Sequence, residues 1–277
     1  MAKSNRSGKK ATKRKKPAVP RDKHVLYERS VQCPEADVRF FDRIFRKVNG
    51  KPATLLREDF CGTAALAAEW VRARPDNRAI GVDLHRPTLD WGRKHNIAPL
   101  GDAASRVELL EQNVLDVIRP KVDMVAALNF SYFIFKRRDQ LKEYFQTVKK
   151  SLRPGGMFVL DIFGGTECQD LDTEVKHLDG FKYHWDQVSY NPVDNETLYH
   201  IHFSFPDGTW MRKAFTYDWR MWTPRDVTEL LEEVGFEDAT VYWEGADEDG
   251  DGNGVFRPAK RRTPERGWIA YISGVRR

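Results

Sequence analysis

From about residue 36 onward, apolar residues follow two alternating spacings. Runs of consecutive apolar residues, typical of strands buried in a parallel sheet, are separated by stretches in which apolar residues recur at helical spacing. These runs predict strands at 53–57, 79–82, 107–111, 122–128 and 157–163. Strands that alternate with helices in this way indicate a doubly wound, mostly parallel α/β sheet.

The pattern changes after the fifth predicted strand. Residues 181–220 alternate apolar and polar side chains with a period of two, which predicts an antiparallel meander inserted within residues 164–222. Thr223 and Pro224 are typical of a helix start, and two further strands are predicted at 240–244 and 268–273. We therefore expect a seven-stranded sheet that ends in an antiparallel hairpin strand.

The domain boundaries follow from these elements. A parallel α/β core is predicted at 36–163, the insert at 164–222 and a C-terminal helix with the last two strands at 223–277, all within one domain, 24–277. The acidic, glycine-rich segment 247–252 is predicted to be a loop between the last two strands.

Charge is distributed unevenly along the chain. Residues 1–23 contain ten Lys and Arg and one acid, whereas the whole chain has a net charge of +5, so the remainder carries −4. Such a segment has little to bury, and we expect it to be a disordered basic tail. The tail is interpreted either as a solubilising leader or as an arm that contacts nucleic acid.

Other compositional features narrow the class of protein. No apolar run approaches the roughly 18 residues that a membrane-spanning helix needs, and no apolar segment follows the basic start. The three cysteines form no CxxC pair, so we expect reduced thiols, no metal site and a cytoplasmic protein without a membrane partner. The composition leaves the oligomeric state open.

One strand–turn–helix segment, residues 55–64, carries candidate chemistry. Its turn around Gly62 follows the acid Glu58 and opens a helix, an arrangement in which backbone approaches a nucleotide-like ligand and helix N–H groups face it. Asp83 ends the second predicted strand, 19 residues after Ala64. In a doubly wound sheet this position lies beside the first turn, where a carboxylate can accept both hydroxyls of a ribose.

These residues resemble the motifs of the class I, Rossmann-like methyltransferases that use S-adenosylmethionine. The resemblance covers residues 36–163 and, more loosely, 225–277, and it includes residues 152–159 before the fifth strand. It implies that Glu58 holds the methionine ammonium group, that Asp83 binds the ribose, and that the segment around Asn113 binds adenine. The cofactor-binding residues that it implies are Tyr27, Glu58, Phe60, Cys61, Gly62, Thr63, Asp83, Leu84, Asn113, Val114 and Asn129.

The chain departs from this family's pattern at three positions. Phe60 and Ala64 replace two of the usual glycines, so the turn is expected to form with Gly62 alone. Asn113 replaces an aspartate, and its amide oxygen is still able to accept a hydrogen bond from the adenine amino group. The nicotinamide-dependent oxidoreductases are disfavoured because the turn lacks their GxGxxG sequence.

The acceptor side is predicted at the ends of the fourth and fifth strands. Asn129, Tyr132 and Asp161 are the candidate catalytic residues, and Tyr27 belongs to a segment, 27–30, that is interpreted either as a lid or as simple packing. Because Phe130 and Ser131 replace the prolines that nucleic-acid methyltransferases carry here, a small-molecule acceptor is favoured. A nucleic-acid or protein acceptor, and a non-catalytic nucleotide-binding protein, remain as alternatives.

The predicted insert contains three histidines that are candidates for metal binding. His200 and His202 share one face of a predicted strand, and His184 lies in the neighbouring one. Without a fixed third ligand, they are interpreted as hydrogen-bonded structural groups rather than as a metal site.

Overall fold

A computed structural model describes residues 20–247 and 252–277. Most of the predicted basic tail and part of the acidic segment 247–252 therefore lie outside the described residues. The last residues of the tail are folded, since the Asp22 carboxylate accepts the backbone N–H groups of His24 and Val25 and caps a helix. The described part contains the α-helices α1 Lys23–Val31, α2 Pro34–Asn49, α3 Ala65–Ala73, α4 Arg86–Gly92, α5 Arg138–Ser151 and α6 Pro224–Val234.

The main sheet has eight strands in the order β11-β10-β12-β5-β4-β1-β2-β3. Strands β1 to β5 are parallel, whereas β12 is antiparallel to both of its neighbours. The α/β class expected from the sequence is confirmed. The strands are β1 Leu55–Asp59, β2 Arg78–Asp83, β3 Val107–Glu111, β4 Val122–Ala127, β5 Leu152–Gly164, β10 Glu237–Ala246, β11 Gly252–Pro258 and β12 Trp268–Val275.

The prediction of seven strands is wrong, because β11 is an eighth strand at the sheet edge. Its start coincides with the end of the acidic, glycine-rich segment that was expected to be a loop. The strand forms because Phe256 has a place to pack: its ring lies 4.6 Å from Tyr271 and 5.9 Å from Phe40. One aromatic side chain among glycines and polar residues gives too weak a sequence pattern to predict a strand.

The insert is an antiparallel sheet in the order β6-β7-β8-β9. Its strands are β6 Thr173–Leu178, β7 Phe181–Asn191, β8 Glu196–Ser204 and β9 Trp210–Arg220. The first of these was not predicted, because it is an exposed edge strand without apolar alternation. One face of this sheet packs on the main core through Tyr199 and Trp219 and on α1 through Leu26, so the insert covers one end of the main sheet.

Helices cover both faces of the main sheet. Residues of α2 and α3 form the core on one face, and residues of α5 and α6 form the core on the other. Thr223 begins α6 with a reciprocal capping box with Asp226, as its sequence predicts. No helix in the described ranges is long and apolar enough to cross a membrane.

Strand β1 begins two residues later than predicted and continues through three charged residues. It does so because Arg57 and Asp59 lie on the same face and form a fully buried ion pair, with Arg57 Nε 2.7 Å from the Asp59 carboxylate. The Tyr144 hydroxyl on α5 donates to the same carboxylate at 2.8 Å. Glu58, between them, points to the opposite face.

We expect Arg57→Met to lower the free energy of unfolding by about 3–5 kcal/mol, because it leaves the Asp59 charge buried without its cation. Urea unfolding followed by circular dichroism measures this change. The control is Arg225→Met, which breaks an exposed pair with Glu229 on α6 and should cost at most about 1 kcal/mol. Equal losses in the two variants would contradict the importance of the buried pair.

Candidate active site

The turn after β1 has a repeating left-handed backbone. Phe60, Gly62 and Ala64 have φ values of 55°, 51° and 58°. The expectation that Gly62 alone would form the turn is wrong, because Phe60 and Ala64 adopt the same conformation in spite of their side chains. Left-handed backbone costs a non-glycine residue roughly 1–2 kcal/mol, so the surrounding packing holds this turn.

Packing explains how the two non-glycine residues are accommodated. The Phe60 ring points into the core, 5.6 Å from Tyr144 and 6.0 Å from Phe135, and the Ala64 methyl group is fully buried. The Cys61 side chain is buried against Gly81 of β2, where an added Cβ would lie 2.8 Å from the sulfur. Phe60 and Cys61 therefore offer only their backbone to a ligand.

Asp83 lies beside this turn, as the sequence predicted from the strand order. One carboxylate oxygen accepts the Gly62 N–H at 2.8 Å, and the other accepts the His85 N–H at 2.8 Å. Each oxygen has a second lone pair, so the carboxylate both fixes the turn and remains able to accept further hydrogen bonds. The next side chain, Leu84, is 67% exposed and is therefore open to a ligand.

Helix α1 crosses the site and joins the turn to the insert. Glu28 accepts hydrogen bonds from the Thr63 hydroxyl at 2.6 Å and from the Asn96 amide at 2.8 Å. At the other end of the helix, the Trp91 indole donates to Asp22 at 2.8 Å. On the opposite side, Leu26 packs within the insert. The segment 27–30 thus lies over the carboxyl edge of the sheet, the place that a lid would occupy.

Three acids share the other part of this edge, on the face that carries α2. Burial, together with the nearby acids Asp37 and Asp83, raises the pKa of Glu58 to about 8. Burial likewise raises the pKa of Asp161 to about 7 and that of Asp37 to about 6. The charged groups that act most strongly on these carboxyls are all acids, so the described structure supplies them with no compensating cation.

Hydrogen bonds from backbone N–H groups and one tyrosine hydroxyl hold these acids in place. Glu58 accepts the Ala67 N–H of α3 at 2.9 Å, and Asp37 accepts the hydroxyl of Tyr271. Asp161 accepts the N–H groups of Asn129 and Phe130 at 2.8 and 2.9 Å. Since Asn129 and Phe130 both have left-handed backbone, Asp161 stabilises the bend that follows β4.

The remaining predicted residues lie at different depths. Tyr132 is fully buried, with its ring 5.0 Å from Phe133, and its hydroxyl has no hydrogen-bond partner within the described residues. Val114 is buried, and the Asn113 amide oxygen accepts the Leu115 N–H at 3.0 Å. The structure therefore brings the turn, Asp83, Glu58, Asn129 and Asp161 to one edge, while Tyr132 lies in the core beneath it.

The insert histidines lie apart from this edge, on the sheet face opposite Tyr183 and Trp185. His184 bonds the Ser204 hydroxyl at 2.8 Å, His200 bonds Thr216, and His202 bonds Asp186 at 3.2 Å. Among the residues with described positions, no group of three His, Cys, Asp or Glu side chains could hold a metal ion.

Sequence reasoning missed two residues of the site. Asp37 lies on the apolar stripe of α2 with Phe41 and Ile44, at helical spacing, and an acid on a buried stripe is a signal that could have identified it. Tyr217 of β9 is partly buried, and it lies close enough to Tyr27 of α1 for the two hydroxyls to shift each other's pKa values. Its place in a period-two run gave no sign of this contact.

Comparison with known proteins agrees with this geometry. Residues 61–158 match the family model described as a methyltransferase domain. A comparison with curated protein sequences gives no match.

Among solved structures, the chain is similar to an amino pentose methyltransferase from Micromonospora echinaspora involved in calicheamicin biosynthesis. The two are 14% identical, with a TM-score of 0.66 over 95% of this chain and 100% of the other. A sugar N-methyltransferase from a Streptoalloteichus species is 17% identical, with a TM-score of 0.62 over 99% and 100%. A S-adenosylmethionine-dependent methyltransferase from Clostridium acetobutylicum is 16% identical, with a TM-score of 0.63 over 90% and 94%.

At these identities the solved structures show the fold, which is that of a Rossmann-like methyltransferase. With the matched methyltransferase domain, the fold agrees with the family that the sequence motifs indicate, the class I S-adenosylmethionine-dependent methyltransferases. Both findings support a methyltransferase enzyme, and S-adenosylmethionine is the cofactor that the sequence motifs imply for it.

The raised pKa values of the three carboxyls predict how the free energy of unfolding depends on pH. Between their ordinary pKa values of 4.5 and 3.8 and the folded values of about 8 for Glu58 and about 7 for Asp161, the folded chain holds more protons than the unfolded chain. The free energy of unfolding of the ligand-free protein should therefore fall as pH rises, by at most about 1.4 kcal/mol per pH unit for each carboxyl.

Urea unfolding between pH 6.5 and 8 tests this prediction. This range lies above the pH at which histidines with lowered pKa values affect the result. Such histidines make stability rise with pH only up to their ordinary pKa of 6.5; they are His24, His184 and His200. Glu58→Gln should flatten the decline, whereas Glu232→Gln, at an exposed position on α6, should not. A wild-type stability that stays constant or rises over this range would show that the acids are not held as described.

Proposed function

We propose that this chain transfers a methyl group from S-adenosylmethionine to a nitrogen or oxygen atom of a small molecule, at the carboxyl edge of the main sheet. The observation that carries the proposal is the left-handed turn 60–64, with Asp83 bonded to it and the uncompensated carboxyl of Glu58 beside it. These groups match the hydroxyl and ammonium groups of the cofactor.

At the ribose end, Asp83 is the residue that would hold the sugar. Both of its oxygens are oriented by backbone N–H groups and retain lone pairs for the ribose hydroxyls. Leu84 would cover one side of the adenine, and this contact would account for its exposure in the protein alone. Asn113 and Val114 would meet the adenine at the end of β3, where the Asn113 oxygen has one lone pair left.

At the methionine end, Glu58 is suited to the ammonium group. A carboxyl buried among other acids is unfavourable when ionised, and a bound cation removes this penalty. S-adenosylmethionine has one sulfonium, one ammonium and one carboxylate group, so its net charge is about +1. The charged groups that act most strongly on Glu58 are acids, and a cation is favoured beside them. The donor set therefore fits this cofactor.

When bound, S-adenosylmethionine would supply a methyl group on a sulfonium, and the leaving group of an in-line transfer would be a neutral thioether. The chain contributes alignment and the exclusion of water. Helix α1 provides the cover, because Glu28 ties it to the turn and Leu26 ties it to the insert. We assign Asn129 and Asp161 to the acceptor side of the site. Tyr132, in the core beneath, would support the bend that follows β4.

A small acceptor is supported by the place of the insert. Its aromatic face packs over the carboxyl edge and leaves this end of the sheet enclosed between the insert and α1. The solved relatives named as an amino pentose methyltransferase and a sugar N-methyltransferase act on small acceptors by their names, which supports the same class here.

We expect Asp83→Ala to weaken binding of S-adenosylmethionine by about 1–3 kcal/mol, because the ribose hydroxyls lose their acceptor. Isothermal titration calorimetry measures the affinity. Asp90→Ala is the matched control, since Asp90 is an exposed acid on α4 paired with Arg86 and Arg93. Unchanged affinity in Asp83→Ala would remove Asp83 from the site, and the absence of any binding heat in the wild type would overturn the proposed function.

A further inference from the structure

A ring of hydrogen bonds joins the turn after β1 to two other segments of the chain. Its members, which we call the Thr63 junction, are Thr63 in the turn, Glu28 on α1 and Asn96, which follows α4. Glu28 Oε1 accepts the Thr63 hydroxyl at 2.6 Å and the Asn96 amide at 2.8 Å. The Asn96 amide also donates to the Thr63 carbonyl at 2.9 Å. Each of the three residues is thus bonded to the other two.

The segment that carries Asn96 is fitted closely to this turn. Helix α4 continues into a π-helical turn, Arg93–Ile97, a rare geometry that is frequent at functional sites. Gly92, at the end of α4, lies so near the turn that an added Cβ would overlap the Thr63 carbonyl oxygen. The backbone of Gly92 and the side chain of Asn96 therefore meet the same carbonyl group and fix its position.

Thr63 connects the junction to the groups assigned to the cofactor. Its side chain is buried, and its hydroxyl donates to Glu28 within the protein. Its neighbours Gly62 and Ala64 both have left-handed backbone, which is unfavourable at an alanine. The Gly62 N–H in turn donates to Asp83 at 2.8 Å. A displacement of Thr63 would therefore move Gly62 and release the carboxylate that we assign to the ribose.

Helix α1 is attached to the α4 segment at a second point. Asp22, which caps α1, accepts the Trp91 indole N–H at 2.8 Å, and the His24 ring lies 5.1 Å from the ring of Trp91. Docking of α1 on α4 thus brings Glu28 to the junction. Undocking would remove the one oxygen that accepts from both Thr63 and Asn96.

We propose that Glu28 and Asn96 are positioning residues for the cofactor, which act through Thr63 and make the affinity for S-adenosylmethionine depend on the docking of α1. This inference rests on the proposed function and adds a mode of regulation of the same site. Neither residue is assigned a contact with the cofactor. Because coupling between two binding events is reciprocal, the bound cofactor must strengthen the docking of α1 by the same factor.

Calorimetric titration with S-adenosylhomocysteine measures the effect on affinity, and binding to the wild-type protein checks the proposed function separately. Asn96→Ala and Glu28→Ala each remove two of the three bonds of the junction. Each should weaken binding by about tenfold, a loss within the range of ordinary hydrogen bonds. Glu28→Gln keeps an oxygen that accepts from both donors and should recover most of the affinity.

Two further comparisons separate positioning from a general loss of structure. Because Glu28 and Asn96 act through one ring, the double variant Glu28→Ala/Asn96→Ala should lose little more affinity than either single variant. Asn191→Ala, at the exposed end of β7, and Glu232→Ala, at an exposed position on α6, are the matched controls and should bind as the wild type does.

Hydrogen exchange followed by mass spectrometry tests the reciprocal effect. Saturating S-adenosylhomocysteine should slow the exchange of the α1 amides in the wild type and should leave α6 unchanged. In Asn96→Ala at saturation, most of this slowing should be lost. A residue that only stabilised the fold would change exchange in α1 equally with and without the ligand.

Two outcomes would overturn the inference. One is unchanged affinity for S-adenosylhomocysteine in both Asn96→Ala and Glu28→Ala, and the other is wild-type exchange in α1 that is the same with and without the ligand. Either result would leave the proposed function intact. The exchange measurement needs no variant, so it decides the inference even if Asn96→Ala does not fold. Failure of S-adenosylhomocysteine to bind to the wild type would count against both proposals.

Discussion

The arrangement of this molecule depends on the burial of three carboxyls at one edge of a sheet. Burial is the main reason that the pKa values of Glu58, Asp37 and Asp161 are raised, and the charge of Asp37 contributes to the increase at Glu58 and Asp161, with no strong cationic neighbour among the described groups. Backbone N–H groups and one tyrosine hydroxyl fix their positions but do not neutralise them. The folded protein therefore holds an electrostatic penalty that a bound cation removes, and the site is built around this penalty.

Strand β1 shows how the fold places a buried carboxyl without a cation on one face of the sheet only. Its side chains alternate between faces, so Arg57 and Asp59 pair beneath α5 while Glu58 faces the other way, without a partner cation. The same five residues thus stabilise the core on one face and leave a buried carboxyl without a partner cation on the other. Helix α1 and the insert then enclose the end of the sheet where Glu58 lies. This enclosure strengthens the attraction of a carboxylate to a cation because water is excluded.

The sequence predicted the parts of this structure that depend on short-range pattern. The parallel core, the period-two meander, the cap at Thr223 and the position of Asp83 beside Gly62 all follow from spacing and strand order. The left-handed backbone of Phe60 and Ala64 could not be predicted, because only tertiary packing holds these residues in a conformation that their side chains disfavour.

Contacts between distant segments were the other limit of prediction. Tyr27 packs on Phe215, 188 positions away, with the ring centroids 4.9 Å apart, and Tyr144 donates a hydrogen bond to Asp59, 85 positions away. Strand β11 and strand β6 were missed for a similar reason, since their places are set by the neighbours they pair with rather than by their own apolar pattern. Neither kind of contact leaves a local signal.

Proton exchange during cofactor binding tests the central claim most directly. With a pKa of about 8, Glu58 is largely protonated at pH 7 in the ligand-free protein, and a bound ammonium group should expel that proton. Calorimetric titration of S-adenosylmethionine in phosphate and in Tris, which differ in ionisation enthalpy, should show release of up to about one proton, and Glu58→Gln should reduce it. Identical binding heats in the two buffers, or uptake of a proton, would contradict the account.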